Sequence, residues 1–346
     1  MRIDSPSQID LFAIDGAPAA AKARGRAAAG ARAVKRGGRG AAQPRPAPDE
    51  EALAERLEAS GRFRVLRRLE PRPVAAELWP AGAAPSASGT RLGIVLDTET
   101  TGLDHGRDEI IELGMVAFLY DESGIGEVVG VFNALREPGV PFGPDITRIT
   151  GITPEMVAGQ SIDLDAVARF IAPANLLIAH NARFDRPFCE GLLPAFAAKP
   201  WACSVAEVDW AGRGFEGSKL GYLVGQCGWF HNGHRAVDDC HALLAVLARP
   251  GPAGEAPPFL ALRASAAKRR CRVFAEAAPF HHKDKLKTRG YRWSDGTGDM
   301  PKSWWREVEE DGVEAELAFL KEEVYGTRMD LEPHLRWLTA FERYRG

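Results

Sequence analysis

The sequence predicts an α/β fold in which a mixed β-sheet, an antiparallel meander extended by parallel strands, is flanked by helices. A small α+β module follows it and a disordered tail precedes it. Three observations predict this. Apolar β-type runs follow one another between 91 and 135 with short polar loops between them. Helical and strand-like segments then alternate to about 250, the pattern of crossover connections. Linkers rich in Pro, Gly and Ala bound the region on both sides.

The chain opens with a short peptide and then, from Gly16 to Pro48, is almost wholly Ala, Gly, Pro, Lys and Arg without an acid. Such a stretch cannot bury enough apolar surface to offset the entropy of ordering it, so 1–48 is predicted to be a disordered basic tail. Its charge suits generic attraction to nucleic acid. Residues 49–90 hold a short element and a linker. Leu53 and Leu57 stand at helical spacing behind leading acids, and Phe63, Val65 and Leu66 after Gly61 read as a strand.

From 91 to 250 the elements build one domain. "RLGIVLDTE", "EIIELGMVAFLY" and "EVVGVFNAL" form the meander. Helix "DLDAVARFIA" precedes strand "NLLIAH", helix "ARFDRPFCEGLL" precedes strand "WACSVAEV", and "SKLGYLVGQCG" precedes helix "AVDDCHALLAVLA". Three antiparallel strands continued by two parallel ones between helices is a ribonuclease H-like arrangement. After the linker "PGPAGEAPPF", a separate module is expected over 260–346.

Composition excludes several classes. A length of 346 residues suits two domains, and a formal charge of -3 leaves any nucleic-acid reading to local charge. The five cysteines are scattered without a C-x-x-C pair, which argues against a disulfide framework or a zinc knuckle. "MRIDSPSQIDLF" carries charges where a signal peptide has its apolar core, and no apolar run is long enough to span a bilayer. The expectation is a cytoplasmic protein without a membrane.

The chemistry begins at Asp97 and Glu99. Two apart at the end of an apolar strand, they leave the same face of the sheet. Alone, such a pair reads first as an acidic strand end in water. "AHNARFDRPF" adds His180 and Asn181 at a strand end and Asp185 in the first turns of a helix. "GHRAVDDCHALL" adds His234 just before a helix and Asp239 inside it. Four acids and a histidine at strand ends and early helix positions suit hard divalent cations, which take oxygen ligands and bridge to phosphate.

"LDTETTG", "AHNARFD" and "HRAVDD", with "ITGIT" and "SKLGYL" between them, resemble the DnaQ-like, DEDDh exonucleases, a family that includes the proofreading subunits of bacterial replicative polymerases. The resemblance covers about 91–250. It implies removal of nucleotides from 3′ ends with two divalent cations, Mg2+ or Mn2+, held by Asp97, Glu99, Asp185 and Asp239, and His234 as the general base. It also implies a pocket for the terminal nucleotide from Thr100, Thr101, Gly102, Ile149, Thr150, His180, Asn181 and Phe184. Glu112 is left open between a supporting partner and an edge residue. Asp238, His105, His231 and His241 are expected at the surface.

Gln8–Phe12, "QIDLF", resembles the peptide that bacterial replication and repair enzymes insert into the sliding clamp, with Gln8 as polar hook and Leu11 and Phe12 as apolar anchors. In the C-terminal module, twelve Lys or Arg and four acids lie between Arg263 and Arg306, interleaved with aromatics. Lys283, Lys287, Arg289, Tyr291, Arg292 and Trp293 are therefore expected to contact nucleic acid. "REVEEDGVEAELAFLKEEVY" is expected as an amphipathic helix closing the module.

The expected function is a metal-dependent 3′-to-5′ exonuclease acting on nucleic acid with a free 3′ end, single-stranded DNA favoured, with the sliding clamp and a DNA polymerase as partners. A 3′ exoribonuclease and a non-catalytic nucleic-acid-binding scaffold are the alternatives.

Overall fold

In the computed structural model, residues 49–75, 89–251, 254–296, 300–326 and 333–345 are described. Gln8, Leu11, Phe12 and the basic tail lie outside them. The chain divides into two compact units at Val65/Leu66. In the first, helix α1 (Glu50–Ala59) starts where the Asp49 side chain accepts the Glu51 N–H, with acids in its first turn and Arg56 in its last. None of its residues is buried. The strand expected over Phe63–Leu66 does not form.

The second unit begins with β1 (Arg67–Arg68), paired in parallel with β7 (Trp229–Phe230). Its main sheet has the order β4-β3-β2-β5-β6. β2 (Arg91–Thr100), β3 (Ile110–Tyr120) and β4 (Ile125–Leu135) form the antiparallel meander, and β5 (Leu176–Ala179) and β6 (Trp201–Cys203) extend it in parallel. This is the ribonuclease H-like mixed sheet expected. β6 ends sooner than "WACSVAEV" suggested, because Ser204–Glu207 turns into helix α6 and the Glu207 carboxylate accepts the Cys203 N–H at 2.9 Å.

Both faces of the sheet are covered, as sheets with parallel strands require. Short helices α2 (Pro144–Thr150) and α3 (Pro154–Val157) follow β4 and lead into α4 (Leu164–Ile171) and, after β5, α5 (Ala182–Leu192). The α4 and α5 side chains Val167, Ile171 and Phe188 pack on Leu92, Ile94 and Leu96, the even positions of β2. On the other face, α7 (Leu220–Gln226), α8 (Ala236–Ala248) and α9 (Pro258–Ala267) pack on Val95 and Val116. Each fully buried Leu, Ile or Phe contributes roughly 1.5–3 kcal/mol to these two layers.

Two of the expected boundaries shift. α9 falls within 260–346 for most of its length, yet Phe259 and Leu262 are buried in the first core, with Phe259 edge-on to Phe118 at 5.7 Å. A second sheet follows, order β11-β8-β10-β9, all antiparallel: β8 (Arg270–Ala275), β9 (Arg292–Trp293), β10 (Trp304–Glu309) and β11 (His334–Leu338). Helices α10 (Lys283–Thr288) and α11 (Val313–Phe319) cover one of its faces. The amphipathic helix expected to start at Arg306 starts at Val313 instead. The alternating "WWREVE" pairs over six positions with β8, and period-two alternation outcompetes helix there.

The residues after β11 then return to the main sheet. Trp201 of edge strand β6 donates its backbone N–H to the Ala340 carbonyl at 2.8 Å. Arg186, fully buried on α5, donates to the carbonyls of Phe341 and Arg343 at 2.6 and 2.7 Å. Arg343 and Tyr344 meet Glu207 at 2.8 and 2.7 Å. The last residues thus close the edge of the sheet and satisfy a buried arginine.

Candidate active site

The site lies at the C-terminal ends of β2 and β5, where an α/β sheet leaves an open crevice. β2 is apolar and buried to Leu96, then carries Asp97 and Glu99, both partly exposed, on the face that α8 covers. A bulge between Glu99 and Thr100 shifts the register, so that Glu99 pairs with Glu112 and Thr100 with Ile110 of β3. α5 approaches from the other face and brings Asp185 beneath Thr98. The Thr98 amide and hydroxyl both donate to Asp185 Oδ1, at 3.2 and 2.9 Å.

α8 brings the last acid. Gly114 of β3 lets it approach, since a Cβ there would lie 2.4 Å from the Ala236 backbone. Asp239 accepts the His234 N–H on Oδ2 at 2.8 Å, and His231 Nε2 lies 2.6 Å from its Oδ1. His234 is exposed and takes a left-handed φ of 64°, which a non-glycine residue holds only where its surroundings impose it. Glu99, His234 and Asp239 bring one ligand-type atom each within 4.8 Å of one another.

Glu112 is fully buried opposite Glu99 across the β2–β3 pair. Like charges so placed repel. Arg235 resolves the conflict by a fork of 2.9 and 3.2 Å onto the Glu112 carboxylate, which also accepts the Ala236 N–H at 3.1 Å and so caps α8. The open question about Glu112 is thereby answered: it is a supporting partner, pinning the helix that carries Asp239.

Burial, with Asp185 and Asp239 close by, pushes the Asp97 carboxyl well above the usual carboxylate range. Glu99 is pushed up to about 8 by burial and by Asp239, Glu112 and Asp185, against the pull of Arg235. Asp185 is pushed up to about 7 by burial, against the Thr98 bonds. Gathered oxygen donors that resist ionisation when bare fit hard divalent cations, whose charge relieves that repulsion.

The surrounding pocket is more internally bonded than expected. Thr100 donates its hydroxyl to the Gly102 carbonyl at 2.6 Å, and the Thr101 hydroxyl lies between Asp108 and the Glu109 N–H. These threonines shape the loop, and Gly102 leaves the room that the Asp108 carboxylate fills. Thr150, buried, bridges the Ile146 carbonyl and the Ile152 N–H. His180 has both ring nitrogens engaged, at 2.7 Å to Ser204 Oγ and 2.7 Å to the Ser218 carbonyl. The carbonyl requires Nε2 to carry the proton, and burial brings the pKa of His180 down to about 4, so the ring is neutral. The hydrogen-bonding groups of Thr150 and His180 are thus engaged within the protein. Asn181 is exposed, while Ile149 and Phe184 are partly buried, Phe184 against Phe188 at 5.0 Å.

Other expectations also change. His231 is drawn in by Asp239, and His241 is buried within α8. Only His105 of the three keeps its expected place in the open. Asp238 is partly buried. Exposed Leu103, 65% accessible at the tip of the loop after Glu99, was not singled out; the apolar residue closing "DTETTGL" was its signal. In the C-terminal sheet, Tyr291 is 3% exposed and its ring belongs to the core, so it has no face to offer a base. Arg289 is held by Glu316 at 3.0 Å. Lys283, Lys287, Arg292 and Trp293 are at the surface.

Known proteins are similar to this chain in sequence. The family profile RNase_T, described as Exonuclease, matches residues 94–247. The DNA polymerase III subunit epsilon of Treponema pallidum is 33% identical over 159 residues, 43% of this chain and 72% of that protein. The chain belongs to the exonuclease family. A PolC-type DNA polymerase III of Clostridium perfringens is 33% identical over 160 residues, 44% of this chain. There the match spans only 11% of the relative's length. Among solved structures, exonuclease X in complex with 5′ overhanging duplex DNA aligns over 44% of this chain and 87% of its own, at 27% identity and a TM-score of 0.35. The exonuclease match holds every residue of the carboxylate cluster, and the second sheet lies outside it. Among the described residues, no helix is long and apolar enough to cross a membrane.

Proposed function

We propose that the chain is a divalent-cation-dependent exonuclease that releases nucleotides from the 3′ end of single-stranded DNA. The observation that carries this reading is the convergence of Glu99, His234 and Asp239, with Asp97 and Asp185 beside them, on a domain of the exonuclease family. Asp97, Glu99, Asp185 and Asp239 would hold two Mg2+ or Mn2+ ions. Such ions, when bound, stabilise charge on the attacking and leaving oxygens at phosphorus and acidify a water.

The protein's own part is to position and to move a proton. Thr98 fixes one oxygen of Asp185. Glu112 and Arg235 fix the start of α8, and with it Asp239. His234, solvent-exposed beside Asp239, takes the proton of the attacking water, a task suited to an imidazole. Leu103 and Phe184 offer apolar surface to the terminal base, and Asn181 an amide.

DNA is favoured by the relatives, one named as a DNA polymerase III subunit and the other as a PolC-type DNA polymerase III. Oligonucleotides labelled at the 5′ end test polarity and substrate together. The proposal expects a ladder shortening from the 3′ end on single-stranded DNA, suppressed by a 3′-phosphate block and slower on RNA of the same sequence. Preference for RNA would move the reading to an exoribonuclease. Binding without cleavage of either would leave a scaffold.

The proposal extends to the Gln8–Phe12 peptide as a tether to the sliding clamp, with a DNA polymerase as a further partner at the same 3′ end. Retention on immobilised clamp by wild type and not by a Leu11→Ala, Phe12→Ala variant supports the tether; equal retention contradicts it.

A further inference from the structure

Helices α10 and α11 cover one face of the second sheet, and on the other face Arg270 reaches Ser265 of α9 at 3.1 Å while Arg272, Phe274, Trp305 and Arg336 lie beyond that contact. Cys271, Val273 and Ala275 of β8 point into the core with Leu286 of α10 and Val313 of α11. The intervening Arg272 and Phe274 therefore point the other way. Directly paired residues share a face, so pairing assigns the rest. Trp305 and His334 stand beside Phe274, Arg336 beside Arg272, and Arg292 beside Trp305.

These side chains interleave. Arg272 and Arg292 lie over the Trp305 ring at 4.7 and 5.9 Å. His334 stacks on Phe274 at 4.8 Å and 26°, with Arg336 over the same ring at 5.9 Å. Phe274 is fully buried beneath them, whereas Trp305 and Arg336 are partly exposed and Arg292 and His334 exposed. Of the face's acids, Glu307 pairs with Arg272 and Glu309 with Lys268. At its strand positions the face carries Arg270, Arg272, Arg292 and Arg336 beside Glu307 and Glu309, and Glu276 meets His334 at 3.1 Å. Elsewhere in the module Arg269 pairs with Glu310, Lys285 with Glu323 and Arg306 with Glu316.

We propose that this sheet face binds single-stranded nucleic acid, apart from the carboxylate site. Guanidinium groups beside the partly exposed Trp305 ring and the exposed His334 ring provide phosphate partners and stacking planes for unpaired bases. A duplex hides its bases from such a surface, which has no helix to enter a groove. The proposal rests on the reading of the substrate as nucleic acid. It moves the contact surface from the run 283–293, which includes the buried Tyr291, to strands that the fold brings together from 272 to 336.

The test uses the full chain with Asp97→Ala, so that bound strands survive, and fluorescence anisotropy with labelled oligo(dT), oligo(rU) and a duplex across a salt series. Adding Arg292→Glu and Arg336→Glu is expected to weaken oligo(dT) binding by roughly tenfold or more and to flatten the logarithmic salt slope by about 1.4, two phosphate contacts' worth. Trp305→Leu is expected to weaken binding with the salt slope unchanged. With Asp97 intact, the arginine variants keep the wild-type unfolding temperature and wild-type hydrolysis of the p-nitrophenyl ester of thymidine 5′-monophosphate, and KM rises only for long strands. Arg292, exposed on a short edge strand, carries the test alone if the other variants fold poorly. Unchanged affinity and salt slope in a stably folded Arg292→Glu variant overturns the proposal, as does equal or tighter binding of the duplex. Wild type that cuts DNA while the face variants bind normally removes this surface alone. Wild type that neither binds nor cuts nucleic acid removes the substrate reading as well.

Discussion

Thr98 holds Asp185 by two donors at once, its amide at 3.2 Å and its hydroxyl at 2.9 Å, both to the same carboxylate oxygen. The residue between Asp97 and Glu99 on β2 thereby sets the position of an acid arriving on α5 from the opposite face of the sheet. Thr98→Val keeps the shape and the amide bond but removes the hydroxyl bond. The expected outcome is a fall in kcat of roughly tenfold, about the worth of one hydrogen bond to a charged group. A rise in the Mn2+ concentration needed for half-maximal rate should accompany it. Thr98→Ser restores both, and a Val variant with wild-type kinetics would show that the amide alone suffices.

The Arg235–Glu112 fork answers a different need, keeping a buried charge compensated. Arg235→Met leaves Glu112 with only the α8 N-terminus, and the expected loss of stability is about 3 kcal/mol. Adding Glu112→Met recovers most of it. Urea unfolding of the single and double variants checks this, and additive losses would contradict the coupling.

The returning C-terminal residues predict that the two sheets melt together. Arg186→Met leaves the Phe341 and Arg343 carbonyls without their buried donor, and Arg343→Met leaves Glu207 without its cation. Each is expected to cost roughly 3 kcal/mol and to lower a single calorimetric transition. A lowered transition for the second sheet alone, beside an unshifted one for the first, would contradict this.

His180 gives a pH dependence with a definite sign. Its folded pKa of about 4 lies below its ordinary 6.5, so the unfolded chain takes up the proton first. The stability this residue contributes is whole above about 6.5 and is lost as pH falls toward about 4. His180→Gln has no such loss. The wild type's advantage in unfolding free energy over that variant should therefore shrink by about 2 kcal/mol between pH 7.5 and 5. A constant difference across that range would contradict the neutral, doubly bonded ring.

The sequence made the main sheet legible because alternation and short loops are local signals, and the site because its motifs sit at element ends. Asp97 and Glu99 share a face by a spacing of two, and His234 and Asp239 meet across the start of one helix. What stayed hidden depends on long-range pairing. Glu112 could not be read until Arg235, 123 residues away, was placed against it. His231 and His241 looked like surface residues because nothing local shows that Asp239 draws in one and α8 buries the other. Tyr291 looked like a stacking platform beside Arg292, but its ring packs into the core behind the C-terminal sheet. The return of residues 339–345 to β6 has no local sequence signature, since it rests on backbone carbonyls and on Arg343 and Tyr344 reaching Glu207, 136 and 137 residues away.

The central claim is that the carboxylate cluster is a cation-dependent 3′ exonuclease centre. Calorimetric titration of Mn2+ into metal-free protein, with 3′-nucleotide release from single-stranded DNA measured at the same concentrations, tests it most directly. Activity should rise with occupancy in the wild type, and Asp97→Asn should lose both the binding heat and the release while keeping its fold. Full activity in EDTA, or an Asp97→Asn variant that binds Mn2+ and cleaves like the wild type, would contradict the account.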